Sequence, residues 1–298
     1  MHKHKLLLLL FLPLLAFAKK KPLPPPLPRA AAIPYQKQAP DWTKIPPLPG
    51  DFSINRSPQP TLPTQNTEVR MAWNEEALSV HFHCFEDNMK NLITYHRDGA
   101  IWQNDCIEFF IDPSAERQKV LQIICSADGQ FRLNTRGLQL AHRNVTVIVK
   151  TFADHWEAEL TLPWSMFAFR PKMFRAALSR ERRAGLTEYS TWNWPSGFNS
   201  VSCHAYFFAG DALEILREIH QRWRDDQEFL QILAQQEPDA AKEWQDWLRQ
   251  GEEVIGRAQI THSPELVDWL NQAFLLQRRH PRQDTIYKSK IADLLKKP

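Results

Sequence analysis

Apolar and polar residues alternate through much of the middle of the chain. Val69, Met71 and Trp73 share one side of an extended segment. After the turn residues Asn74-Glu75-Glu76, Leu78, Val80, Phe82 and Cys84 share one side of a second. The two-residue period returns at Ile107, Phe109 and Ile111, closes at Asp112-Pro113, and is followed by an apolar run from Val120 to Cys125. Asp128-Gly129 is a hairpin signal ahead of Phe131 and Leu133. Segments 145–152, 156–162 and 174–179 continue the series. Short strands spaced by roughly 8–12 residues, with no long helical pattern among them, predict a mainly β fold, an antiparallel β-sandwich over residues 35–210. From Asp211 the period changes: Leu213, Leu216, Ile219 and Trp223 recur at three- and four-residue spacing. Ser263-Pro264-Glu265 supplies a capping hydroxyl, an N1 proline and an acid ahead of a helix over Leu266–Leu276. Residues 211–298 are therefore expected to be a helical C-terminal region. Its tryptophans, Trp223, Trp244, Trp247 and Trp269, are expected as packing anchors.

The N-terminal end reads differently. A basic start (His2, Lys3, His4, Lys5), an apolar run from Leu6 to Leu15 and the small-x-small exit Ala16-Phe17-Ala18 have the form of a secretory signal peptide over residues 1–18. The run is too short to span a bilayer, and no later stretch reaches span length, so no transmembrane segment is expected. Between Lys19 and Pro63 the chain places 13 of its 22 prolines. Proline there opposes helix and central strand, and the lysines Lys19-Lys20-Lys21 make residues 19–34 a basic, Pro-rich tether. The expected localisation is secreted or periplasmic.

Composition narrows the chemistry. Net charge is +3, with 34 acidic against 37 basic residues, which gives no argument for nucleic acid. Only 9 glycines occur, and neither GxGxxG nor GxxxxGK[ST] is present, so phosphate-cradling loops are not indicated. Trp is abundant, at 11. Cys84, Cys106, Cys125 and Cys203 each lie in an apolar run. Disulfides are permitted in an exported chain, and Cys106–Cys125 is the most plausible pair, across a hairpin. No CxxC spacing points to a metal.

The stretch from Arg97 to Asp112 carries the most information. Its strand turns Ile107, Phe109 and Ile111 to one side and Cys106, Glu108, Phe110 and Asp112 to the other. Glu108 is thus an acid in mid-strand, flanked by aromatics, where strand preference disfavours it. Residues that break a local rule in this way are often functional.

Trp102-x-x-Asp105-x-Ile107-Glu108-x-Phe110-Ile111-Asp112 resembles the family 9 carbohydrate-binding modules and their DOMON-like relatives. Four further segments occur in that family's order: Val80 to Asp87, Gln130-Phe131-Arg132-Leu133-Asn134, Trp156 to Trp164, and Tyr189-Ser190-Thr191-Trp192. The resemblance covers about residues 42–210 and leaves out the tether and the helical end. It implies that two tryptophans clamp a sugar, here Trp102 and Trp192, with Trp194 as the alternative second wall. The polar contacts would be Glu108, Arg132 and Asn134, with Asp105 close by. The pyranose C–H faces suit an indole face, and the hydroxyl rim suits an acceptor, a donor fork and an amide. Arg175-Ala176-Ala177-Leu178-Ser179 departs from the pattern, since Ala177 stands where relatives offer amide side chains. Structural calcium is also implied, although no residue set here marks its site.

The expectation is an exported, non-catalytic protein that binds carbohydrate, its partner being the end of a polysaccharide. A glycoside hydrolase, or an accessory to one, would need two carboxylates about 5–10 Å apart across a cleft. Asp98, Asp105 and Glu108 are near in sequence, but no second acid is placed by the pattern. No GxSxG occurs, and His155, His204 and His262 lack neighbours that suggest a relay. Haem binding, known in some DOMON-like domains, would draw on His81 and His83 with Met71 as axial partner. A module for protein contact, with the helical end as its interface, is the remaining alternative.

Overall fold

The computed structural model describes residues 29–115, 117, 119–192, 200, 204–225, 231, 234–235, 238–257 and 264–279. The signal segment, Trp194, Cys203, His262 and Ser263 lie outside the described residues, as does the side chain of Trp223. Twelve strands and three helices appear among the described residues. The strands are β1 (Ala30–Ile33), β2 (Ser53–Ile54), β3 (Thr67–Trp73), β4 (Ala77–Phe85), β5 (Cys106–Asp112) and β6 (Val120–Ser126), then β7 (Phe131–Arg136), β8 (Thr146–Thr151), β9 (His155–Pro163), β10 (Met173–Arg182), β11 (Glu188–Thr191) and β12 (Ala205–Ala209). They form two sheets. One runs β1-β12-β10-β5-β6-β7, with β11 and β2 extending from β10, and the other runs β3-β4-β9-β8.

The alternation read from the sequence becomes the sandwich core. Val80, Phe82 and Cys84 from β4, Ile107, Phe109 and Ile111 from β5, and Trp156, Ala158, Leu160 and Leu162 from β9 are buried together. On β9 the intervening His155, Glu157, Glu159 and Thr161 are half-buried, as expected for a strand with one wet face. Strand β10 behaves otherwise, with all ten residues buried. It sits inside its sheet between β5 and β12, and its second face is covered too.

Every pairing in the two sheets is antiparallel except β1 with β12, which is parallel. Strand β1 takes up the last part of the expected tether, with Ala30, Ala31 and Ile33 buried rather than solvated, and residues 19–28 lie outside the described residues. Four residues ahead of Pro34 suffice for an edge strand, where proline does no harm.

Cys84, Cys106 and Cys125 are free and buried, so the pairing Cys106–Cys125, which the sequence left open, is not formed. Ile107 pairs with Cys125, whereas Cys106 pairs with Ser126. The two thiols therefore point to opposite faces of the sheet and cannot meet. Burial pushes the Cys125 thiol upward and that of Cys84 to about 12, so both pack as small apolar groups.

The sheets are also tied by charge. Glu86, at the end of β4, is buried between Arg180 and Arg182 of β10. Arg182 donates from Nε and Nη2 to its two oxygens (2.8 Å each), and Arg180 Nη2 donates at 3.0 Å. Arg180 also donates to the carbonyls of Asn66 and Phe85.

Helices α1 (Ala212–Asp225), α2 (Pro238–Arg257) and α3 (Pro264–Arg279) pack over the outer face of the larger sheet. Their Ile215, Leu216, Trp244 and Leu266 share a core with Ala30, Met173, Tyr206 and Phe208. The anchoring role read for the tryptophans holds for the three whose side chains are described. Trp247 and Trp269 stack at 4.5 Å, and each indole N–H donates to the other's carbonyl at 2.9 Å. Among the described residues no helix is long and apolar enough to cross a membrane.

Candidate functional site

The helices cover the outer face around β1, β12 and the start of β10. Beyond them, over β5, β6 and β7, the same face holds a cavity of about 330 Å³, with the buried Glu181 of β10 at its edge. Strand alternation and register assemble it. Glu108 of β5 pairs with Ile124 of β6, which pairs with Arg132 of β7. The neighbouring rung brings Gln122 opposite Asn134. All five line the cavity, because directly paired residues share a face.

One wall is the short 3-10 turn Asp98–Gln103. Ile101 anchors it by packing against Cys106 and Ile124, and this leaves Trp102 facing outward, 44% exposed. The following residues lock the turn from behind. Asn104 accepts from the His96 amide and donates to the His96 carbonyl. Asp105 accepts from the amides of Ile93, Arg183 and Ala184. Gly99 sits where a Cβ would lie 3.2 Å from Arg132 Nη1, so its missing side chain lets the guanidinium pass close.

The floor is polar and ordered. Asn134 Nδ2 donates to Gln122 Oε1 at 3.1 Å, and Gln122 Nε2 donates to Glu108 Oε2 at 2.8 Å. Glu181 of β10 also lines the cavity, one strand over from Glu108 and on the same face. Arg183 Nη2 pairs with Glu181 at 2.7 Å and also donates to the Trp102 carbonyl at 3.3 Å. Burial pushes the Glu108 carboxyl upward. Burial, with the charge of Glu108 beside it, pushes Glu181 to about 8. Two carboxyls buried near each other cannot both ionise cheaply, so the protonated form of one is favoured.

Of the residues singled out in the sequence, Trp102, Glu108, Arg132 and Asn134 come together around this cavity. Two do not. Trp192 is 1% exposed and lies in the sandwich core against Phe207, its indole N–H donating to the Pro49 carbonyl. With its one polar atom satisfied, the largest side chain of the segment buries inward, and it forms no wall opposite Trp102. Asp105 is fully buried and spends its oxygens on backbone amides. It positions the Trp102 turn and does not face the cavity. Ala177 packs with Phe110 and Val120 beside the site and offers no polar contact. Met71 is buried in the core, on the opposite face of the sheet from His81 and His83, so the three cannot share a haem.

Sequence reasoning missed Gln122 and Glu181. Gln122 had a signal, as the one amide in the apolar run Val120 to Cys125. Glu181 had none, because Ser179-Arg180-Glu181-Arg182 reads as a solvated charge run.

The calcium implied by resemblance finds no fit in the donor cluster the described residues hold. His83, His155 and Glu157 bring one ligand atom each within 4.8 Å of one another. Two of those atoms are imidazole nitrogens, whereas calcium takes six to eight oxygens.

Residues 53–153 match the model of the family described as Carbohydrate-binding family 9. Two solved structures are of a family 9 carbohydrate-binding module from Caldicellulosiruptor kristjanssonii, one in complex with glucose and one with cellotriose. Each is 12% identical and has a TM-score of 0.46, covering 61% of this chain and 96% or 93% of the module. A Bacteroides uniformis structure described as carbohydrate-binding is 11% identical, with a TM-score of 0.47, covering 61% of this chain and 99% of its own. No match was found among curated proteins. The match over 53–153 runs from β2 past β8 and takes in the cavity residues from Asp98 to Asn134, so over this stretch the chain is similar to the carbohydrate-binding family 9 modules.

Proposed function

We propose that the cavity beside Trp102 binds one end of a carbohydrate chain, and that the protein is an exported binder rather than an enzyme. The observation that carries this is the exposed indole of Trp102 standing over an ordered row of hydrogen-bonding groups, Asn134, Gln122 and Glu108. A pyranose presents C–H groups to an indole face and hydroxyls to a polar rim. Asn134 and Gln122 each offer donors and an acceptor, Arg132 offers donors, and the Glu108 carboxyl accepts. At about 330 Å³ the space is at the small end of ligand pockets, which suits a sugar of one or two rings.

Among the described residues, Trp102 is the tryptophan that lines the cavity, and it sets the scale of affinity. An aromatic contact contributes about 0.5–1.5 kcal/mol beyond area burial. A second indole would tighten binding roughly three- to tenfold.

The carboxyl pair supports binding over hydrolysis. Glycosidases set their two acids facing each other across the bond to be cut, whereas Glu108 and Glu181 stand on one face of neighbouring strands, on the same side of the cavity. The test is titration of the chain with a panel of soluble oligosaccharides, following tryptophan fluorescence and release of reducing ends together. Saturable quenching without product supports the reading. No response to any neutral oligosaccharide, or product formation, would sink it.

A further inference from the structure

The outer face of the four-stranded sheet carries a cluster with no part in the carbohydrate reading. His83 of β4 and Glu157 of β9 are direct cross-strand partners, and His155 pairs with Phe85 one step along the same face. His83 Nδ1 lies 3.2 Å from Glu157 Oε1, and His155 Nε2 lies 3.8 Å from the same oxygen. His155 is held from behind, its Nδ1 2.7 Å from Asp154 Oδ1, which leaves Nε2 turned toward Glu157. A carboxylate on the far nitrogen is what fixes the tautomer and raises the basicity of a metal-ligating imidazole. Phe152 stacks on His155 at 4.3 Å and Phe85 leans on His83 at 4.4 Å, so the donors stand among apolar rings.

We propose that His83, His155 and Glu157 form a binding site for a divalent transition-metal ion of the zinc class, with Asp154 as a positioning residue. Two imidazoles and one carboxylate are a zinc donor set that leaves a fourth position for water or another ligand. The same set favours zinc, copper or nickel over calcium and magnesium, which take oxygen. Binding has a structural consequence. The two imidazole rings now stack at 4.2 Å with planes 18° apart. An ion about 2.0–2.1 Å from a ring nitrogen lies in that ring's plane, so a common ion turns at least one ring out of the stack.

The test is calorimetric titration of the untagged full chain with zinc chloride, repeated with calcium chloride. One saturable zinc site and no calcium response are expected, and cobalt(II) should give the visible absorption of a four- or five-coordinate ion. Glu157→Gln and His155→Ala should each remove that site, while weak uptake by other histidines persists as a common background. Asp154→Asn should weaken it by about tenfold or more. Circular dichroism checks folding, and His83→Gln replaces any variant that fails to fold. Absence of zinc uptake by the natural chain, or uptake unchanged in the folded variants, overturns the site.

Discussion

Glu108 of β5 and Glu181 of β10 stand on one face of neighbouring strands, both lining the cavity, and their burial favours the protonated forms. Glu181 moves from an ordinary value of 4.5 to about 8. The folded chain therefore binds more protons than the unfolded one between those values, and stability falls as pH rises through that window. Thermal unfolding should show the midpoint dropping between about pH 5 and pH 8.5, and Glu181→Gln should flatten the drop. An identical slope in the variant would mean that the pair is not its source.

Trp102 and Trp192 should separate cleanly by substitution. Trp102→Ala should weaken oligosaccharide binding by about three- to tenfold while moving stability by less than about 0.5 kcal/mol. Trp192→Ala empties part of the core and should cost about 3–5 kcal/mol in denaturant unfolding. Reversed outcomes would exchange their roles.

Glu86 is the anion that Arg180 and Arg182 share among the described residues. Glu86→Gln leaves the buried Arg180 guanidinium without its carboxylate, while Arg182 keeps Asp87 at 3.3 Å and Glu188 at 3.9 Å. Removing one partner from such a group costs about 3–5 kcal/mol. Because the network is out of water, the cost should change little between low and high salt, unlike that of a surface pair.

Gly251 lets the helices close. A Cβ there would come within 2.6 Å of the Trp269 ring and 2.7 Å of His220. Gly251→Ala should cost about 1–3 kcal/mol by overpacking. The helical signal should melt earlier in circular dichroism, while oligosaccharide binding measured below that transition stays as it was.

Much of the site was legible because a two-residue period is local. The alternation that put Ile107 and Phe109 inward had to put Glu108 outward, and Arg132 and Asn134, two apart, had to share a side. What local pattern cannot show is what lies across the sheet. Trp192 reads equally well as a ligand wall or a core anchor until its partner Pro49, 143 residues away, is in place. Glu181 lies in a charged run that looks wet. It is buried because β10 occupies the middle of a sheet with β5 beside it, a pairing without sequence proximity. Strand β1 escaped for the same reason, since its parallel partner β12 lies some 175 residues on.

Strand β10 starts beneath the helices at Met173 and ends at the cavity with Glu181. A fragment trimmed after residue 210 would bare Ala30, Met173, Tyr206 and Phe208 as a contiguous greasy surface beside the opening. Such a fragment would tend to stick to itself and mask the very groove it was made to present. Expression of the module alone is therefore the wrong economy for glycan screening, and the shortest dependable unit keeps its helical cover.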